Sequence, residues 1–137
     1  MTTDYTTTTF SFQPLGTRDV LARFDGGAVT SDGGALLLGQ AERLTGALQQ
    51  FAQFCTVFLD DYAIEHTVLH LLSQRVYGLA LGYEDLNDHD TLRLDPLLAT
   101  LVGKTDPTGQ DRLRRQDKGK PLAGKSTLNR LELTPLD

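Results

Sequence analysis

Apolar residues recur three and four positions apart through two long stretches of the chain. In ALLLGQAERLTGALQQFAQF, Leu37, Leu38, Ala41 and Leu44 keep helical spacing, and Leu48, Phe51 and Phe54 resume it beyond Thr45-Gly46. The pattern predicts two short helices broken near that glycine. IEHTVLHLLSQRVYGLALG carries a broader stripe: Ile64, Val68, Leu71, Leu72, Arg75, Val76 and Leu79. It predicts the central core helix, preceded by Asp60-Asp61 and ended by Gly82. Asp95-Pro96 sets a capping carboxylate before a first-turn proline, so a short helix is expected over Leu97–Val102, closed by Gly103. STLNRLEL offers a Ser126 or Thr127 cap and a last short helix.

Ahead of the first helix the pattern changes. Pro14 and Gly16 break the apolar stretch after Ser11, and Val20–Phe24 and Ala28–Thr30 then flank the turn signal Asp25-Gly26-Gly27. This predicts a small hairpin. Ser31-Asp32-Gly33-Gly34 is expected to start the first helix, with a Ser or Asp side chain as its cap. The fold class is therefore mainly α with a small N-terminal β-hairpin (α+β). Residues 1–9 read as a flexible, Thr-rich arm, and 10–103 as hairpin plus helices. Residues 104–125 read as a basic linker, with a weakly held helix around Asp111–Gln116 at most, and 126–137 as the short last helix. There is no internal repeat.

Composition narrows the class. The 137 residues are 39% hydrophobic and 23% charged, a balance that supports a folded core. No apolar run reaches the ~18 residues that span a bilayer. MTTDYTTTTFSF lacks the basic start and apolar block of a signal peptide. A membrane partner is not expected, and a cytoplasmic setting is. The single cysteine, Cys55, sits in QFAQFCTVF and reads as a buried structural thiol.

Charge divides the chain. Residues 1–100 hold 5 Lys and Arg against 13 Asp and Glu, whereas residues 101–137 hold 8 against 5. A polyanion would meet the C-terminal third first. Arg112, Arg114, Arg115, Lys118, Lys120 and Lys125 crowd this region. Such a strip can neutralise phosphates without reading sequence. On composition alone, an ordinary solvated loop is the simpler reading.

Three other patterns suggest chemistry. GKPLAGKST, residues 119–127, matches the phosphate-loop pattern G-x-x-x-x-G-K-[ST]. That loop needs an apolar strand before it and a long helix after it. QDRLRRQDKG precedes it here, and Pro121 removes a backbone donor, so no nucleotide site is expected. His66 and His70 lie four apart, but without the Glu of a metalloprotease signature or a third ligand nearby they read as structural. Glu84, Asp85, Asp88 and Asp90 lack calcium-loop spacing and read as capping residues between helices. No metal site is expected in this chain.

QRVYGLALGYEDLNDHDTLRLDPLLATLVG is more particular. Residues 74–96 carry Q-R-V-x-x-L-A-L-G-Y-E-D followed by N-D-H-D-x-L-R-x-D-P. This resembles the N-terminal region of bacterial insertion-sequence transposases of the group-1 DDE domain family (IS-thirteen-eighty type). FDGGAVTSDGGALLL at 24–38 and STLNRLEL at 126–133 agree with it. The resemblance implies DNA transposition by a ribonuclease-H-like domain. In that domain three carboxylates hold two Mg²⁺ ions that activate water or a DNA 3′-hydroxyl. It implies terminal inverted repeats as the DNA partner.

In the family, the first catalytic Asp lies on a strand after the STLNRLE-like helix. This chain reaches Asp137 before any such strand, so no catalytic residue is carried over. The chain is expected to be a truncated N-terminal region, inactive alone. The alternatives are a module that pairs with full-length transposase, or an inert remnant. Apolar surface left uncovered would favour self-association. If the chain binds DNA, Arg112, Arg114, Arg115, Lys118, Lys120 and Lys125 are the expected phosphate contacts.

Overall fold

Phe10–Leu15 (β1) pairs antiparallel with Arg18–Ala22 (β2) around a turn at Gly16, whose φ of +64° suits glycine. The computed structural model describes residues 9–22, 32–55 and 65–133. The hairpin lies earlier than the expected one. Its second strand takes up Val20–Ala22, but the partner strand precedes it. Pro14 sits where the ladder slips between Phe12 and Leu15, so its lack of an N–H costs no pairing. The expected turn at 25–27, the strand at 28–30 and residues 1–8 of the arm lie outside the described residues.

Ala35–Thr45 (α1) and Ala47–Cys55 (α2) form as the spacing predicts. The break is Gly46, left-handed at φ +62°. Glu42 bridges it: its carboxylate accepts from the N–H groups of Leu48 and Gln49 at 2.9 and 3.1 Å, capping α2. No side chain caps α1. Gly34 holds its N-cap position, and backbone bonds such as Ala35 N–H to the Asp32 carbonyl lead into it. Asp32 instead accepts from the Tyr83 hydroxyl at 2.8 Å, and Ser31 lies outside the described residues. Cys55 is half-buried at the end of α2 rather than in the core.

Val68–Ala80 (α3) is capped by the Thr67 hydroxyl, which accepts from His70 N–H. It therefore starts later than Asp60-Asp61 suggests; those residues and Ile64 lie outside the described residues. Its buried face also differs from the expected stripe. Leu71, Ser73, Gln74, Tyr77 and Gly78 are buried, while Leu79 is exposed. The reason is Gln74, 1% exposed, whose carboxamide reaches inward to main chain 49 residues away.

A 3₁₀ turn at Leu86–Asp88 leads into His89–Leu92 (α4). Pro96–Val102 (α5) follows with the expected Asp95 cap, whose carboxylate accepts from Leu97 and Leu98 N–H, and Gly103 closes it at φ +90°. Lys125–Glu132 (α6) is the last helix described. Its N-cap is Gly124, and neither Ser126 nor Thr127 caps it.

Residues 120–124 tie these pieces together. Pro121, Leu122 and Ala123 are buried. Leu122 joins a core built from Ala35, Tyr77, Leu92 and the buried face of α5. Ala123 joins a second cluster with Leu71 and Leu128, which seats α6 on α3. His89, fully buried, stands within 3.2 Å of Gln74 and helps hold it. Arg93 accepts Leu122 N–H through its carbonyl, and Arg75 pairs with Glu132. Most of the 74–96 motif is thus a clamp on the 120–132 segment.

Candidate nucleic-acid interface

Residues 104–120 form a pinned loop. Asp106 anchors it: one carboxylate oxygen accepts from the hydroxyl and N–H of Thr108, the other from Gln110 and Asp111 N–H. Those bonds, the Thr108 hydroxyl first, hold the Asp106 carboxyl down to about 2. Gly109 takes φ +71°, where a Cβ would stand 2.6 Å from Pro121 N, so the loop folds back on the buried strip. A 3₁₀ turn spans Arg115–Asp117, where a weak helix was expected from Asp111.

Glu65 grips the other side. Its carboxylate accepts from the Arg112 guanidinium at 2.7 Å and from Leu113 N–H at 2.8 Å. The Arg112 hydrogen bond, against the opposing effect of burial, brings the Glu65 carboxyl down to about 2. Arg112 itself is 7% exposed and also donates to the carbonyls of Lys120 and Leu122, with Asp117 at 3.7 Å. Its charge and donors are taken up internally, as burial of a guanidinium requires.

The other five basic residues reach the surface unequally. Arg114 and Arg115 are exposed and adjacent; their carbonyls accept from Asp117 and Lys118 N–H, but their side chains make no hydrogen bond or ion pair with the described residues. Lys118 is exposed, its ammonium resting on the Gln110 carbonyl at 2.6 Å. Lys120 is half-buried with its ammonium on the Gln116 carbonyl. Lys125 is exposed but turned toward Asn87 at 3.0 Å and Asp90 at 3.4 Å. The sequence strip thus separates into one internal anchor, a free pair, and three lysines with partners.

An open cleft of about 510 Å³ lies beside this loop, and α6 lines its other side. Arg93 and Arg130 reach it, neither of them part of the sequence strip. Arg93 is balanced by Asp117 at 3.2 Å, and Glu65, Asp90 and Asp117 line the same walls. Both lie in motifs quoted above, but no local pattern sets them beside the basic loop, because that placement depends on the clamp.

The phosphate-loop pattern fails in three ways. PLA is core, so the would-be cradle faces inward. The Lys125 ammonium points to Asn87 and Asp90. The Asp90 carboxylate accepts from Lys125 N–H at 3.1 Å, occupying the helix start where a phosphate would sit. That backbone bond is the main reason the Asp90 carboxyl titrates below the usual range.

Two of the four acidic residues serve as caps, whereas Asp88 holds the N-cap position of α4 without a side-chain bond. Asp85 accepts from Asn87 N–H at 2.8 Å, and Asp90 caps α6. Among the described residues no three His, Cys, Asp or Glu side chains gather as a metal would need. The two Mg²⁺ ions implied by the family resemblance do not fit these residues. His66 and His70 are half-buried beside Lys104, and His66 lies outside α3. Burial first, then the charges of Lys104 and Arg112, push His66 down to about 3.

No helix among the described residues is long and apolar enough to cross a membrane. No curated protein and no solved structure matches the chain. The model of one family, described as transposase DDE domain group 1, matches residues 12–137. With all but the first eleven residues covered, the chain belongs to the transposase DDE domain group 1 family.

Proposed function

We propose that this chain is the N-terminal region of a bacterial insertion-sequence transposase of IS-thirteen-eighty type, and that it contacts the phosphates of the element's terminal inverted repeats. Strand transfer is assigned to a ribonuclease-H-like part with its Mg²⁺ ions, and no residue described here is given a catalytic role. The cytoplasm is the proposed compartment. One observation carries the DNA contact: the side chains of Arg114 and Arg115 stand exposed, without a partner among the described residues, on a loop fixed at both sides. Lys118 extends the patch, Lys120 and Lys125 flank it, and Arg112 serves as its internal anchor.

The test is the salt dependence of duplex binding. Each neutralised phosphate contributes about 0.9 to the slope of log K against log salt. Replacing Arg114, Arg115 and Lys118 together by Ala should flatten that slope by roughly 2 to 3. An unchanged slope would remove the assignment.

A second reading has its own observation. Leu37 (64%), Leu44 (79%), Phe51 (55%) and Phe54 (78%) are exposed along α1 and α2. Apolar exposure of this kind suits a protein contact, so the chain would pair with full-length transposase or with itself. Inhibition of a full-length relative that survives loss of the basic patch would favour this reading. An inert remnant would do neither.

A further inference from the structure

Leu113 is 79% exposed, and the chain on either side of it is charged. Solvation does not favour this placement, and the loop does not leave it to chance. The N–H of Leu113 is held by Glu65, and the preceding Arg112 is locked into the interior by four partners. The following residue, Arg114, is extended at φ −86°, ψ 130°. A rigid base therefore holds an apolar side chain outward beside the guanidinium groups of Arg114 and Arg115, which have no partner among the described residues.

We propose that Leu113 is a wedge that inserts between base pairs of bound DNA, while Arg114 and Arg115 grip the adjoining phosphates. Proteins that bend or open duplexes combine these two elements, because the cations fix the backbone while the apolar group replaces lost stacking. The fixed base matters: a wedge on a loose loop would fold away from the duplex. A polyanion suits this surface better than a protein partner does, since the exposed side chains of Arg114 and Arg115 beside Leu113 have no carboxylate partner among the described residues and the phosphates of a duplex would supply one. The inference rests on the DNA-contact reading above and adds an opening function to it.

The test uses the full chain and duplexes carrying 2-aminopurine, whose fluorescence rises when it unstacks, at successive positions of the element end. Wild type should raise the signal at one or two adjacent steps. Leu113→Ala should abolish that rise and weaken binding about tenfold or less, with an unchanged salt slope. Leu113→Phe should restore the signal. The residue is exposed, so both variants should fold as wild type does, with matching thermal melts as the control.

Binding without any fluorescence rise, or a rise that persists in Leu113→Ala, overturns the wedge and leaves the phosphate contact standing. Absence of DNA binding at low salt overturns both. Loss of self-association in Leu113→Ala, with DNA behaviour unchanged, assigns the leucine to a protein contact and also overturns the wedge.

Discussion

Gln74 holds Ala123 from both directions: its amide donates to the Ala123 carbonyl at 2.8 Å, and its carbonyl accepts from the Ala123 N–H at 3.0 Å. One side chain thus acts as a neighbouring strand would, satisfying both backbone groups of a buried residue. Replacing it with Leu leaves two buried polar groups without partners. Gln74→Leu should lower stability by about 2 to 4 kcal/mol in chemical denaturation. Gln74→Glu should also destabilise, because it removes the donor to the Ala123 carbonyl.

Glu65 and Arg112 form the second long-range tie, 47 residues apart in sequence. Glu65→Gln removes the charge that balances a buried guanidinium, which keeps only Asp117 at 3.7 Å and two carbonyls. Stability should fall by about 2 to 3 kcal/mol in urea titrations. Hydrogen exchange at Leu113 should quicken, since its N–H bond to Glu65 weakens with the lost charge.

Acid should act in two stages. The folded protein keeps His66 neutral down to about 3, against 6.5 ordinarily, so the unfolded chain takes up that proton first. Stability should fall as pH drops below 6.5 toward 3. Glu65, held to about 2 against 4.5, adds a further loss between those values. Unfolding free energy measured from pH 7 to 3 should therefore begin to decline near 6.5, then decline more steeply below 4.5. In Glu65→Gln the steeper part should shrink.

Gly78 is a packing requirement rather than a turn. A Cβ there would stand 2.8 Å from Cε1 of His89, which is fully buried. Gly78→Ala should destabilise by about 1 to 2 kcal/mol, despite alanine's better helix propensity. Gly39→Ala should cost less, because the atom it meets, Leu101 Cδ2 at 2.5 Å, ends a flexible side chain. Paired thermal melts of the two variants check the ordering.

The sequence was most legible where a feature is made by neighbours. The break at Gly46 and the Asp95-Pro96 start of α5 follow from residues one to three positions apart, and both are present. It was least legible where a distant side chain does a local job. Ser126 and Thr127 look like caps for α6, but Asp90, 35 residues upstream, does the capping. The buried face of α3 departs from the apolar spacing because a glutamine inside a core is unfavourable unless a partner such as Ala123 stands opposite. The hairpin described turns at Gly16, where the sequence offered only a break in the apolar pattern, and the expected turn at Asp25-Gly26-Gly27 lies outside the described residues. At the candidate interface, the strip of six cations was visible as composition. Arg112 could be separated from Arg114 and Arg115 only once Glu65 was in place.

The loop gripped by Glu65 and Asp106 has a thermodynamic consequence for any polyanion it meets. Its backbone is ordered when the protein folds, so little conformational entropy remains to be lost on contact. Binding there should carry no heat-capacity change from loop folding, only the small negative one of burying Leu113, and an association rate that tracks ionic strength, unlike a tail that folds on its partner.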